Sequence, residues 1–162
     1  MVSKNKKDKV KDNTIATNRR ARFDYEILDT YEAGIQLVGT EVKALRNGAV
    51  KLDDAHAQEC SNGIEIVNLY IPEYTKAGPR NQHNTKRARK LLLHKREINK
   101  ILGSIAKQGM TAVPLKMYFN NKGLAKMLLG LGKGKKDFDK RATIKEREWN
   151  ISKNRILKDY NN

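Results

Sequence analysis

Apolar and polar positions change their rhythm several times along the chain, and each change predicts a different element. From Met1 to Arg22 almost nothing apolar occurs, while Lys4, Lys6, Lys7, Lys9, Lys11, Arg19, Arg20 and Arg22 face only Asp8 and Asp12. A segment of that composition buries too little surface to order itself, so residues 1–22 are expected to form a flexible basic arm. From Phe23 the pattern turns to strand. Tyr25, Ile27 and Tyr31 alternate with polar neighbours, Ala33-Gly34 supplies a turn, and Ile35 to Val38 resumes the run. Thr40 is a capping residue ahead of Glu41 to Arg46, where Val42 and Leu45 share a helical face and Asn47-Gly48 ends the turn. Two further strands, Val50–Cys60 and Ile64–Ile71, flank Ser61-Asn62-Gly63, and Asn-Gly favours a tight antiparallel hairpin.

Pro72 to Arg89 has no period, contains Pro72, Gly78 and Pro79, and carries Lys76, Arg80, Lys86, Arg87 and Arg89, which predicts a mobile basic loop. Leu91, Leu92, Ile98, Ile101, Leu102 and Ile105 then recur at helical spacing up to Gln108-Gly109. Strands are predicted at Thr111–Phe119 and Gly123–Gly130, joined by Asn120 to Gly123. With about six strands in hairpin order and one long helix, the pattern predicts a mainly β fold with α elements. It is a closed antiparallel β-barrel of the OB type over residues 23–131, with flanking helices and a basic C-terminal tail over 132–162.

Charge sharpens this picture. The 162 residues hold 34 Lys and Arg against 18 Asp and Glu, a net charge of +16. Such an imbalance repels itself in a folded domain, so a polyanion is the expected partner. No stretch approaches the roughly 18 apolar residues of a spanning helix, so no membrane role is expected. Cys60 is the only cysteine. It allows no internal disulfide and no multi-cysteine zinc site, which points to a reducing, cytoplasmic compartment.

Catalysis finds little support. His56, His83 and His94 are scattered without partners at metal-ligand spacing, and no Gly-x-Ser-x-Gly occurs. Asp53 and Asp54 are adjacent and would point to opposite faces of a strand. Gly130 to Lys136 fits neither phosphate-cradling glycine motif, because Gly134 falls one position early and no Ser or Thr follows the lysines. It reads instead as a hinge that delivers Lys133, Lys135 and Lys136 to a phosphate backbone, or as an ordinary flexible linker. No enzyme, metal or cofactor is expected.

The tail is the most informative segment. As a lone helix it would run about 35 Å at ~1.5 Å per residue, yet Ile144, Trp149, Ile151, Ile156, Leu157 and Tyr160 make only a narrow, broken stripe. Isolated helices need packing to persist, so the tail is expected to be disordered alone and helical on a partner; the alternative is a helix docked on its own barrel. Phe138 and Trp149 among Lys140, Arg141, Lys145 and Arg147 suit base stacking combined with phosphate pairing.

Several blocks resemble one family. They are Thr14 to Arg22, Tyr31-Glu32-Ala33-Gly34, Gly39 to Arg46, Arg89-Lys90-Leu91-Leu92-Leu93, Lys133 to Lys136 with Asp139-Lys140-Arg141, and Lys145 to Trp149. In order and in combination they resemble small protein B, a family of tmRNA-binding factors of bacterial ribosome rescue. The resemblance implies a monomeric oligonucleotide-binding barrel that grips the tRNA-like domain of tmRNA. It also implies a tail that enters the mRNA channel and decoding centre of a stalled small subunit for trans-translation. It ties tmRNA binding to Asn18, Arg19, Arg20, Glu32, Leu92 and Lys126, joined by Arg22, Arg89, Lys90, Lys133, Lys135 and Lys136 in the basic blocks. It ties the ribosomal role to Asp139, Lys140, Arg141, Trp149, Ile156 and Leu157, joined by Phe138, Lys145 and Arg147 from the stacking and charge pattern of the tail. Phe138 stands where the family commonly has His or Tyr, which keeps a stacking face but loses a hydrogen bond. The competing reading is an rRNA-binding ribosomal or ribosome-assembly protein with a similar barrel.

Overall fold

A computed structural model describes residues 13–48 and 50–160. Seven strands and four helices follow one another. They are β1 (Thr14–Thr17), α1 (Ala21–Asp24), β2 (Tyr25–Ile35), α2 (Gly39–Arg46), β3 (His56–Cys60), β4 (Gly63–Val67), β5 (Arg89–Leu92), α3 (Lys95–Gln108), β6 (Thr111–Phe119), β7 (Ala125–Gly134) and α4 (Asp137–Tyr160). All pairings are antiparallel, in the order β1-β6-β3-β4-β5-β2-β7, and β7 pairs back to β6. Six strands therefore close a ring, and β1 adds to it along β6. The ring interior holds Ala33, Ile35, Ile64, Ile66, Leu91, Met117, Met127, Leu129 and Leu131, with Leu45 of α2 and Ile101 of α3 packed into the same core.

Local chemistry sets the element ends. The Glu97 carboxylate accepts the His94 N–H at 2.9 Å and starts α3, and Gly109 at φ +60° stops it in the left-handed region that glycine tolerates. In the β3–β4 hairpin, Cys60 pairs with Gly63 across Ser61-Asn62. The glycine, at φ +131°, opens β4 rather than lying inside the turn.

The structure corrects the sequence reading in several places. The expected arm divides: residues 1–12 lie outside the described residues, whereas Thr14–Thr17 already pair with β6. Ala33-Gly34 is no turn, since β2 continues to Ile35 with β7 on one side and β5 on the other. Of the strand expected over Val50–Cys60 only His56–Cys60 is regular, with Lys51 bridged to Tyr70. Leu91 and Leu92 belong to β5 rather than to the helix; Leu91 is buried and Leu92 exposed, the alternation of a strand. A short apolar run carries no period that separates the two, and pairing with β4 and β2 decides it.

The glycine-rich stretch is also not a hinge. Gly130 to Gly134 completes β7, and a Cβ on Gly132 would lie 2.2 Å from the Glu26 carbonyl oxygen. The glycine is there to let two backbones touch beside a β-bulge between Ile27 and Asp29. Strand β7 thus runs three residues past Leu131, and Lys135-Lys136 link it to α4.

Candidate nucleic-acid interface

Two groups of the expected RNA-binding residues meet in space. The first lies on the outer face of the ring. Tyr118 pairs with Lys126, Lys126 with Gly34, and Gly34 with Leu92, so a straight row crosses β6, β7, β2 and β5, while Thr14 of β1 pairs with Tyr118 at its end. Glu32 stands two residues along β2 on the same side. Its carboxylate accepts a hydrogen bond from the Tyr118 hydroxyl and pairs with the Lys126 ammonium at 3.6 Å. That carboxylate, with burial adding to it, pushes the Tyr118 hydroxyl up to about 12. Glu32, Lys90, Leu92 and Lys126 line one cleft of about 730 Å³ with Asn62, His94 and Ile98.

The second group surrounds the root of α4. Arg19, Arg20 and Arg22 are exposed at α1, and Lys133 and Lys136 are exposed at the end of β7. The Asp24 carboxylate binds Arg20 at 3.3 Å and Lys140 at 3.4 Å, and the Asp24 carbonyl accepts the Lys135 N–H at 2.8 Å. The Lys135 ammonium donates to the Arg22 carbonyl at 3.3 Å. Asp139 accepts the Lys136 N–H at 3.3 Å and so caps α4. Beyond this root the described side chains of α4 are exposed except for half-buried Lys140 and Thr143. Phe138 is 77% exposed and Trp149 70%, and Ile156, Leu157, Arg141, Lys145 and Arg147 also face outward. The described apolar side chains of the helix do not dock on the sheet.

Two expected contact residues are structural. Asn18 is buried; its amide donates to the Leu52 carbonyl at 3.2 Å, and its side-chain oxygen accepts the N–H groups of Arg20 and Ala21 at 3.1 and 2.9 Å. It turns the chain from β1 into α1. Arg89 is fully buried. Its guanidinium pairs with Glu41 at 2.7 Å and donates to the carbonyls of Leu69, Arg87 and Thr85 at 2.7, 2.9 and 3.2 Å. Arg87 binds both oxygens of Glu41, Oε1 at 2.8 Å and Oε2 at 2.7 Å. Burial alone would push the Glu41 carboxyl up, but hydrogen bonds from Arg87, the Val38 N–H and Arg89 outweigh it and hold it below the usual carboxylate range. Burial also lowers Arg89, opposed by Glu41. The expected mobile loop is therefore pinned at its end, and Arg89 has no surface left to offer a nucleic acid.

Sequence reasoning passed over Tyr118, Asp24 and Glu41. Strand alternation in β6 would have set Tyr118 outward beside Lys116. Arg20 and Val38 lie close to Asp24 and Glu41 in the chain, but nothing local announces their long-range partners, Lys140 for Asp24 and Arg87 and Arg89 for Glu41.

Comparison with known proteins places this geometry in context. Residues 15–159 match the model of the SmpB protein family. An SsrA-binding protein of Sinorhizobium fredii is 54% identical over 145 residues, covering 90% of this chain and 91% of the relative. One from Sphingomonas elodea is 57% identical over 152 residues, covering 94% and 93%. A solved structure described as "tmRNA-SmpB: a journey to the center of the bacterial ribosome" superposes with a TM-score of 0.63 at 52% identity, covering 75% of this chain and 85% of its own.

Proposed function

The chain belongs to the SmpB protein family, and from that premise we propose that it binds the tRNA-like domain of tmRNA and delivers it to stalled ribosomes for trans-translation. The ring of strands acts as an OB-type barrel. Its outer cleft with Glu32, Lys90, Leu92 and Lys126, and the cations Arg19, Arg20, Arg22, Lys133, Lys135 and Lys136, hold the RNA. Helix α4 serves the small-subunit decoding centre and mRNA channel through Phe138, Arg141, Lys145, Arg147, Trp149, Ile156 and Leu157. Asp139 caps it and Lys140 ties it to the barrel. The protein works as a cytoplasmic monomer. Phosphate contacts from exposed cations position a folded RNA, and a few side chains on a rigid sheet fix the register.

The observation that carries this reading is the division of the surface. Four of the expected RNA-binding residues converge on a rigid cleft, whereas the aromatic and cationic residues of α4 point away from the ring. Truncation after Lys136 tests it. Gel shifts should keep tmRNA affinity within about threefold, and in vitro tagging of stalled chains should stop. A large loss of tmRNA affinity in the truncated protein, or equal binding of tmRNA and bulk tRNA by the full chain, would overturn the reading and favour a general rRNA-binding role.

A further inference from the structure

We propose that the outer cleft reads one unpaired guanine, with Glu32 accepting from its Watson–Crick edge and Tyr118 acting as the positioning residue for Glu32. The inference rests on the RNA-binding reading above and names the base that its cleft takes.

The floor of the cleft is suited to a flat ligand. Leu92 is 56% exposed on it, and Gly34 between Leu92 and Lys126 contributes no side chain. A Cβ at Gly34 would come within 3.2 Å of the Leu92 Cβ and crowd the surface. Tyr118 pairs with Lys126 in the same row, and its ring lies under the Lys116 ammonium, 5.8 Å from the centroid, so Leu92 and the bare Gly34 backbone are what a base would lie on. Base stacking on such a platform is tolerant of base identity. Discrimination must come from a polar group.

Glu32 is that group. A carboxylate near RNA is repelled by phosphates unless something holds it and something with N–H groups receives it. Its two oxygens are each held once, one by Lys126 and one by the Tyr118 hydroxyl. An ionised carboxylate offers about four acceptor positions, so two remain for a ligand. The side chain is 55% exposed, with room for them to be used. The Tyr118 hydroxyl, pushed up to about 12, stays protonated at neutral pH and keeps donating.

An acceptor-only fork selects an edge with two adjacent donors. Guanine presents N1–H beside N2–H. Adenine and cytosine each place an acceptor nitrogen beside a single amino group, and uracil sets one N–H between two carbonyls that would face the carboxylate. The carbonyl O6 of guanine neighbours N1, and the Lys126 ammonium beside Glu32 is placed to donate to it. Guanine alone satisfies all three groups.

Fluorescence anisotropy with the full chain tests this, using labelled RNA octamers U4GU3, U4AU3, U4CU3 and U8. U4GU3 should bind about tenfold or more tighter than the others, the scale of one bidentate base contact. Inosine in place of guanine lacks the N2 donor and should fall between. Glu32→Gln should bring U4GU3 to the level of U4AU3. Tyr118→Phe keeps the ring but removes the hydroxyl, and should shrink the guanine-to-inosine ratio. Melting curves of both variants that overlay that of the unsubstituted chain would show intact folds. Equal affinities for the four octamers, or a guanine preference that survives Glu32→Gln, would overturn the inference. A gel shift with tmRNA run alongside separates the two readings: tmRNA binding without guanine preference removes only the guanine site, whereas absent tmRNA binding removes the function itself.

Discussion

The ring of strands and helix α4 both carry positive charge, but they dispose of it in opposite ways. In the ring, Arg87 and Arg89 are drawn onto the buried carboxylate of Glu41, and the Arg89 guanidinium also donates to three backbone carbonyls. On α4 the described cations Arg141, Lys145 and Arg147 face outward, and Lys140 alone is paired to the ring, through Asp24. Buried charge of the first kind fixes one arrangement, because removing either partner strands the other in an apolar setting. Exposed charge of the second kind contributes little to stability and remains open to a polyanion. The first serves the fold and the second stays at the surface.

Breaking the buried network should have the largest effect. Glu41→Gln leaves Arg89 uncompensated and is expected to cost about 3–5 kcal/mol, read by urea denaturation at pH 7. The pH dependence has a defined sign. Glu41 has a lowered carboxyl pKa in the folded state, so its contribution is present above the unfolded value of about 4.3 and is lost as pH falls through the folded value. The unsubstituted protein should therefore lose stability over that acid window more steeply than Glu41→Gln. Parallel curves would remove the ion network from the list of what holds the fold.

A second break targets the β2–β7 pairing within the ring. Gly132→Ala sets a methyl group 2.2 Å from the Glu26 carbonyl, a distance that side-chain motion cannot relieve because the atom belongs to the backbone. The β2–β7 pairing must shift, and the melting temperature should fall by several degrees, as for other overpacked positions that cost about 1–3 kcal/mol. An unchanged melting temperature would mean the bulge at Ile27–Asp29 yields freely.

How far this was readable from the sequence follows the same division. Local signals carried α2, the β3–β4 hairpin, the C-terminal end of α3, and β6 with most of β7, because caps, glycines and alternation act over a few residues. They failed where partners are distant. Leu91-Leu92 reads as helix until β4 and β2 pair with it, and Gly130 to Gly134 reads as a hinge until Glu26 approaches it. The candidate site divides likewise. Glu32, Leu92 and Lys126 came from resemblance and meet in one cleft, whereas Asn18 and Arg89, read as RNA contacts, are used up in the fold. An Asn or Arg in a basic block looks the same whether it faces outward or inward; only burial tells them apart.

Removing α4 altogether should matter less to the fold than either substitution. Among the described side chains, truncation after Lys136 removes exposed ones and the half-buried Lys140 and Thr143. The urea midpoint of the ring should move by no more than a surface change of about 0.5 kcal/mol would cause. The corresponding peptide, residues 137–162, should give a mostly coil far-UV spectrum in plain buffer, since its narrow apolar stripe has nothing to pack on. A helical spectrum would mean that α4 holds itself without a partner.

The smallest expected effect is at Asp24, where the two regions touch. Its carboxylate is shared between Arg20 at 3.3 Å and Lys140 at 3.4 Å, both partly exposed, so the contribution of these pairs to stability is about 0–1 kcal/mol. Their consequence is directional rather than energetic. With the Lys135 N–H already bound to the Asp24 carbonyl, the carboxylate supplies the further contact that aims the first turns of α4. Asp24→Asn should leave the melting temperature within a degree or two yet broaden the distance distribution between spin labels at Lys122→Cys and Ser152→Cys, measured by pulsed electron spin resonance in a Cys60→Ser background. Asp24→Glu should restore much of the sharper distribution. Salt should act like Asp24→Asn, because an exposed pair is screened within about 8–10 Å at 0.1–0.15 M ionic strength. A distribution equally broad in all three proteins would show that α4 takes its direction from the backbone link alone.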